Sequence, residues 1–270
     1  MEPSSGPRAV RMTPVPAPPL PEPTPPAALR RPRRGVSVLP SLFTLANLFC
    51  GYACVVYAMR GEFETAAPLI GIAVVLDMLD GRIARMTGTA TEFGVQFDSM
   101  ADIVSFGMAP AILAFGWGLS SLGRLGWTAA FLFVAAAALR LARFNVQAGS
   151  TDKRYFIGMP SPAAAGIVAA TVYAYPAGFS ELHLAAPLVL LVVVPAALMV
   201  STIRFRSFKS IDTNSGHPFR LLIFFALFIA ALVTRPQEVL VVVAYAYLAS
   251  PFIGGLVSRL RRRPDAAPAE

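Results

Sequence analysis

Residues 77–102 read DMLDGRIARMTGTATEFGVQFDSMAD, and they join two long apolar runs. Asp77 and Asp80 lie near the end of the first run (65–86); Asp98 and Asp102 open the second (97–118). On a helix, Asp77, Asp80, Gly81 and Ala84 fall at i, i+3, i+4 and i+7, which is one face. Gly94, Asp98 and Asp102 fall at i, i+4 and i+8, again one face. Two neighbouring helices therefore turn all four carboxylates toward one cavity. An ionised carboxylate in or near hydrocarbon costs several kcal/mol, and four together also repel. Such a group needs a strong opposite charge, and divalent cations supply one.

The rest of the chain agrees with a membrane setting. Of 270 residues, 56% are hydrophobic and 14% charged, against about a quarter charged in a soluble domain. The mean hydropathy is +0.61. A bilayer core of roughly 30 Å takes about 20 apolar residues per helix. Eight spans are predicted, at 37–59, 65–86, 97–118, 125–146, 161–178, 184–203, 219–234 and 237–258. The last two include a short one and are compatible with a re-entrant hairpin. Residues 1–35 are rich in Pro and Ala and carry no apolar segment of their own, so they read as a disordered tail. Residues 259–270 form a second, basic tail.

The net charge of +8 does not indicate nucleic acid, because the basic residues sit between apolar runs. With the N-terminus inside, twenty of the 23 Lys and Arg fall on the cytoplasmic side, and only Arg60, Arg124 and Arg235 fall outside. That asymmetry orients a multi-pass protein with an even number of spans and both ends cytoplasmic, expected in the cell (inner) membrane of a prokaryote, and it also favours anionic membrane lipids.

The remaining chemistry-bearing residues read as structural. Cys50 and Cys54 share one apolar run and read as buried small residues. His183 and His217 are isolated in loops and suit no metal spacing. Trp117 and Trp127 flank an outer loop and read as interface anchors.

Two hard cations bridged by carboxylates suit phosphoryl chemistry. Gly81, Ala84 and Gly94 leave room for a bulky ligand, and Arg85, one turn from Gly81, is suited to phosphate. The competing class is a cation-coupled transporter lined by acidic residues, which would not need the small residues at those positions. Metal-dependent membrane prenyltransferases also carry Asp clusters, without the Gly and Arg context.

The pattern Asp80-Gly81-x-x-Ala84-Arg85, eight residues, Gly94-x-x-x-Asp98-x-x-x-Asp102 resembles the hallmark of the CDP-alcohol phosphatidyltransferase family, and Asp77 fits its additional aspartate. The resemblance implies an all-α, polytopic membrane helix bundle, with a six-helix family core plus two further C-terminal spans. The division is then 36–209 for the core and 210–258 for the added spans. It implies two divalent cations, Mg²⁺ or Mn²⁺, on Asp77, Asp80, Asp98 and Asp102, with Asp102 as the proposed base. The CDP-lipid would lie against Thr44, Asn47, Asp80, Gly81, Ala84, Arg85 and Gly94. The residues themselves leave open whether Thr44 and Asn47 reach the ligand or only bond between helices. A homodimer is implied by the family alone.

Four further segments, around Pro40–Asn47, Arg140–Asn145, Gly158–Pro162 and Met199–Lys209, resemble the membrane-type CDP-diacylglycerol–serine phosphatidyltransferases. The part after 209 adds nothing to this resemblance. It implies transfer of the phosphatidyl group from CDP-diacylglycerol to L-serine, giving phosphatidylserine and CMP. Arg140, Arg143, Lys153 and Arg154 are candidates to hold the serine carboxylate. The same cations would suit another alcohol, such as glycerol 3-phosphate or inositol phosphate. For each of them singly, a role in topology or lipid binding competes with acceptor binding.

Reporters fused to either terminus are expected to read cytoplasmic. A periplasmic signal from either fusion would overturn the eight-span scheme.

Overall fold

Glycine, proline and capping side chains mark several of the helix ends among the described residues. The computed structural model describes residues 38–87, 91–147, 155–178, 185–206 and 218–261, all within one unit, Arg33–Glu270. The expected tail 1–35, His183, His217, Lys153 and Arg154 lie outside the described residues.

Helix α1 (Val38–Met59) ends where Gly61, at φ +78°, reverses the chain. The Glu62 and Gly61 amides donate to Tyr57 O (3.0 Å) and Ala58 O (3.1 Å), the paired bonds of a glycine-terminated helix. Helix α2 (Phe63–Thr87) follows at once and packs along α1. Helix α3 (Glu92–Asp102) starts at Thr91, whose Oγ1 accepts the Gly94 amide at 3.0 Å. A π-helical turn, Ile103–Met108, leads into α4 (Ala109–Trp117). Helix α5 (Arg124–Gln147) is followed by strand β1 (Tyr155–Ile157), α6 (Ser161–Ala174) and α7 (Ala185–Val200). Strand β2 (Arg204–Arg206), α8 (Pro218–Thr234) and α9 (Pro236–Arg261) complete the described chain.

Helices lie on each of the eight apolar runs read from the sequence, with three differences in their course. The third span is not one α-helix but α3 and α4 joined by the π turn, and it begins at Glu92. The last helix runs 26 residues, to Arg261, into the expected tail. A small antiparallel ribbon, in which Phe156 pairs with Phe205, joins the connection after α5 to that after α7. An all-α expectation could not contain it, because three-residue strands show no usable period. Gly158 makes this crossing possible: it sits at φ +84°, and a Cβ there would lie 2.5 Å from Met199 O.

Three helices, Ser41–Met59, Glu92–Trp117 and Arg124–Val146, are long and apolar enough to cross a membrane. The packing has the same character. The buried set is rich in small residues, among them Ala66, Ala67, Ala73, Ala109, Ala164 and Ala165, while Leu42, Phe49, Phe131, Leu222 and Val242 face outward. Small residues let helix backbones approach closely, and bulky apolar ones meet lipid. Cys50 and Cys54 are free and buried, as expected.

Trp117 departs from the interface reading. It is buried, and its indole Nε1–H donates to Tyr175 O at 2.7 Å, serving a carbonyl beyond the end of α6. Trp127 is exposed and stacks on Phe131.

Helix α1 also packs against α3, the π turn and α4. At the tightest point a Cβ on Gly51 would lie 2.5 Å from Ser105 Oγ and 2.8 Å from Ser105 Cα. Gly51→Ala is therefore expected to lower the thermal midpoint in detergent, since overpacking a fitted interface costs about 1–3 kcal/mol. A variant melting with the wild type would contradict this contact.

Candidate active site and metal centre

Helix α2 supplies Asp77 and Asp80, α3 supplies Asp98 and Asp102, α1 supplies Thr44 and Asn47, and α5 supplies Arg140. Asp77, Asp98 and Asp102 converge, each offering a carboxylate oxygen within 4.8 Å of the others. Asp80 faces a different neighbour. It is buried and accepts a hydrogen bond from Thr44 Oγ1 at 2.8 Å. A buried hydrogen bond to a charged group contributes roughly 1.5–3 kcal/mol, so Thr44 bonds between helices and at the same time holds one aspartate of the motif. Asp80 remains within electrostatic reach of Asp98 and Asp102.

Asn47 is fully buried, and its Nδ2–H donates to Asp102 Oδ1 at 3.3 Å. Its backbone carbonyl accepts from Ser105 Oγ at 3.0 Å, a buried contact from the π turn. Asp102 and Ser105 thus grip the same residue of α1, one by its side chain and one by its backbone.

The donor set fits a hard divalent cation. Ionised carboxylates this close repel by roughly 3–4 kcal/mol per pair at an effective dielectric constant of about 20, before further solvent screening. Asp98 Oδ1 is buried without a hydrogen-bond partner among the described residues. Carboxylate and carbonyl oxygens suit Mg²⁺ or Mn²⁺ rather than a metal preferring nitrogen or sulfur.

Of the two acceptor candidates among the described residues, Arg140 and Arg143, Arg140 is the one the fold ties to the carboxylates. Its charge reaches Asp77 and Asp102, and also Tyr247 of α9. Its Nη1–H donates to the buried Ser161 Oγ at 2.7 Å, while Nε has no partner among the described residues. Arg143 is half-buried and makes no hydrogen bond or ion pair among the described residues. The nearby Asn145 fastens α5 to α3 by donating from Nδ2 to Ser99 Oγ at 3.0 Å.

The small residues of the motif have local neighbours. A Cβ on Gly81 would lie 3.4 Å from Arg85 Nη1, so the exposed arginine folds back over the glycine. A Cβ on Gly94 would lie 3.2 Å from the capping Thr91 Oγ1. Ala84 is half-buried.

Ser105 and Tyr247 carry no signal in the sequence, and Ser161 enters there only through the Gly158–Pro162 segment, with no partner assigned to it. Ser105 looks like an ordinary small polar residue in an apolar run. Tyr247 lies more than a hundred residues from Arg140, so only the packing of α9 on α6 brings it near.

A helical bundle of membrane character with a carboxylate cluster between α2 and α3 that could hold a hard cation places the chain among membrane proteins with an acidic intramembrane site. The family model described as CDP-alcohol phosphatidyltransferase matches residues 37–193, and the chain belongs to this family. A second model, CDP-alcohol phosphatidyltransferase 2, matches residues 220–250. This corrects the expectation that nothing after 209 carries recognition; α8 and α9 hold a family signal that the apolar composition of these helices conceals.

The chain is 38% identical over 216 residues to the CDP-diacylglycerol–serine O-phosphatidyltransferase of Helicobacter pylori, covering 78% of this chain and 88% of that protein. It is 31% identical over 229 residues to the Mycobacterium leprae protein of the same name, with 81% and 75% covered. It is 35% identical over 170 residues to the archaetidylserine synthase of Methanothermobacter thermautotrophicus, with 62% and 69% covered.

Replacing Asp98 by Asn removes one charge from the crowded cluster. In the presence of chelator, Asp98→Asn is expected to melt no lower than the wild type. The wild type should gain thermal stability on addition of Mg²⁺ or Mn²⁺, and the variant should not. An equal gain in both would remove Asp98 from the metal site.

Proposed function

We propose that this chain transfers the phosphatidyl group of CDP-diacylglycerol to L-serine, giving phosphatidylserine and CMP. The observation that carries the proposal is the convergence of Asp77, Asp98 and Asp102 inside the family's aspartate motif. The names of the relatives support serine as the acceptor.

In this reading Asp77, Asp80, Asp98 and Asp102 hold two divalent cations, Mg²⁺ or Mn²⁺. When bound, these neutralise the diphosphate and stabilise the departing CMP. Thr44 keeps Asp80 in place through their 2.8 Å hydrogen bond. Gly81, Ala84, Arg85 and Gly94 accommodate the nucleotide and its phosphates, with the Arg85 guanidinium swinging from its rest over Gly81 to meet phosphate. The serine oxygen attacks the lipid-side phosphorus, the bond from that phosphorus to the CMP oxygen breaks, and Asp102 accepts the hydroxyl proton. Arg140 is the first choice to receive the serine carboxylate, because its charge already reaches the aspartates. Arg143, Lys153 and Arg154 stand behind it as lipid-phosphate or acceptor cations.

The surrounding organisation belongs to the same proposal. Eight helices cross the cell membrane with both termini cytoplasmic, residues 36–209 form the catalytic core, and 210–258 add two spans to it. Two copies pair as a homodimer, as the family resemblance implies. The donor lies with its acyl chains in the inner leaflet, which keeps its diphosphate level with the aspartates.

The test uses purified enzyme, CDP-diacylglycerol and one acceptor at a time, with CMP and lipid product measured. Serine is expected to react. Ethanolamine, which lacks the carboxylate, is expected to react poorly, because a site built for a charged group leaves its own charge unpaired with the analogue. Chelation should stop CMP release, and Mg²⁺ or Mn²⁺ should restore it. Preference for glycerol 3-phosphate or inositol phosphate would defeat the serine assignment, and CMP release unaffected by chelation would defeat the metal site.

A further inference from the structure

Asn47 is an amide side chain with nothing exposed to solvent, on the apolar helix α1, against an acidic cluster. Its two ends are used unequally. Nδ2–H donates to Asp102 Oδ1, whereas Oδ1 is buried with no hydrogen-bond partner among the described residues. Turning the amide over does not resolve this. Oδ1 would then face an acceptor oxygen of Asp102, and the amide hydrogens would be orphaned in its place.

Nor is the residue free to move away. Ser105 Oγ holds the Asn47 backbone carbonyl at 3.0 Å. Gly51, one turn on, lets the π turn close on α1 so tightly that any Cβ would collide with Ser105. The carboxamide is therefore held rigidly beside Asp102, with one neutral oxygen left over.

A buried carbonyl oxygen beside carboxylates calls for a donor or a cation. Hard divalent cations take neutral carbonyl oxygens, including that of asparagine, alongside carboxylates. We propose that Asn47 is a metal ligand of this site, its Oδ1 adding a neutral oxygen to the carboxylates of Asp77, Asp98 and Asp102 while its Nδ2–H fixes the orientation of Asp102. The proposal rests on the reading of the aspartate cluster as a cation site and deepens it. A neutral ligand adds to the coordination shell without adding to the repulsion among the aspartates. It also makes α1 part of the metal centre, so metal binding clamps three helices together.

The experiment measures Mn²⁺ binding to the full chain purified in detergent, without substrates, by the paramagnetic resonance signal of free Mn²⁺. Asn47→Leu, which removes both functions at nearly constant volume, is expected to weaken Mn²⁺ binding by about 10–100-fold, the usual scale for losing a supporting metal contact. Asn47→Asp keeps an oxygen and loses the donor. It is expected to bind Mn²⁺ within a few-fold of the wild type or more tightly. Wild-type affinity in Asn47→Leu would overturn the proposal. So would an equal loss in both variants, since that would assign the effect to the Asp102 hydrogen bond alone. If Asn47→Leu does not elute as a folded species, Asn47→Ala is read by the same criteria. Serine transfer by the wild type is unaffected by failure here, and Mn²⁺ binding is unaffected if the acceptor proves to be another alcohol.

Discussion

Holding several carboxylates together inside an apolar bundle is the constraint around which this protein is arranged. Asp77, Asp98 and Asp102 converge within 4.8 Å, in a setting where Arg140 and Arg85 are the described cations whose charge reaches the cluster. Like charges at this range in a partly desolvated site would drive the helices apart unless something positive joins them. The neighbouring features follow from that demand. Asp80 is drawn aside by Thr44, Asp102 is steadied by Asn47, and Asp98 keeps an unpartnered buried oxygen. A soluble protein would spread such charges over its surface. Here they are collected where a charged substrate and its cations can meet them.

Rigidity of the site comes from α1, which carries no charge of its own among the site residues. Thr44 and Asn47 stand three apart, hence on one face, and reach Asp80 on α2 and Asp102 on α3 respectively. The π turn directly after Asp102 brings Ser105 onto the Asn47 carbonyl. Single π turns inside helices recur at functional sites because they re-aim side chains. Gly51 is what allows the two backbones to close at that level. The geometry around the aspartates is thus set by polar contacts between helices, among buried alanines such as Ala73, Ala101 and Ala137.

The connections at the far ends of α5 and α7 are stitched by the β1–β2 ribbon and by Gly158 lying across the end of α7. This stitching delivers Ser161 to Arg140. Helix α9, packed on α6, adds Tyr247 to the surroundings of the same arginine. The surroundings of Arg140 therefore depend on chain segments distant from the aspartate motif.

The amino-acid sequence by itself determined where most helices lie, because a long apolar run must satisfy its backbone polar groups internally and a helix does so within one segment. It also determined the aspartate motif and its fitness for a hard cation, because the spacing of Asp77, Asp80, Asp98 and Asp102 follows the helical period and gathering that much buried charge is expensive. Tertiary structure alone decided the division of those aspartates into a convergent three and a Thr44-bound fourth, since period places residues on faces without saying which neighbour each face meets. It alone decided the π turn, the ribbon, the burial of Trp117 and the approach of Arg140, rather than the neighbouring Arg143, to the aspartates. Each of these turns on contacts between residues far apart in the chain. The orphaned oxygen of Asn47 is of the same kind: whether an amide has a partner depends on every atom packed around it, and no local pattern records that.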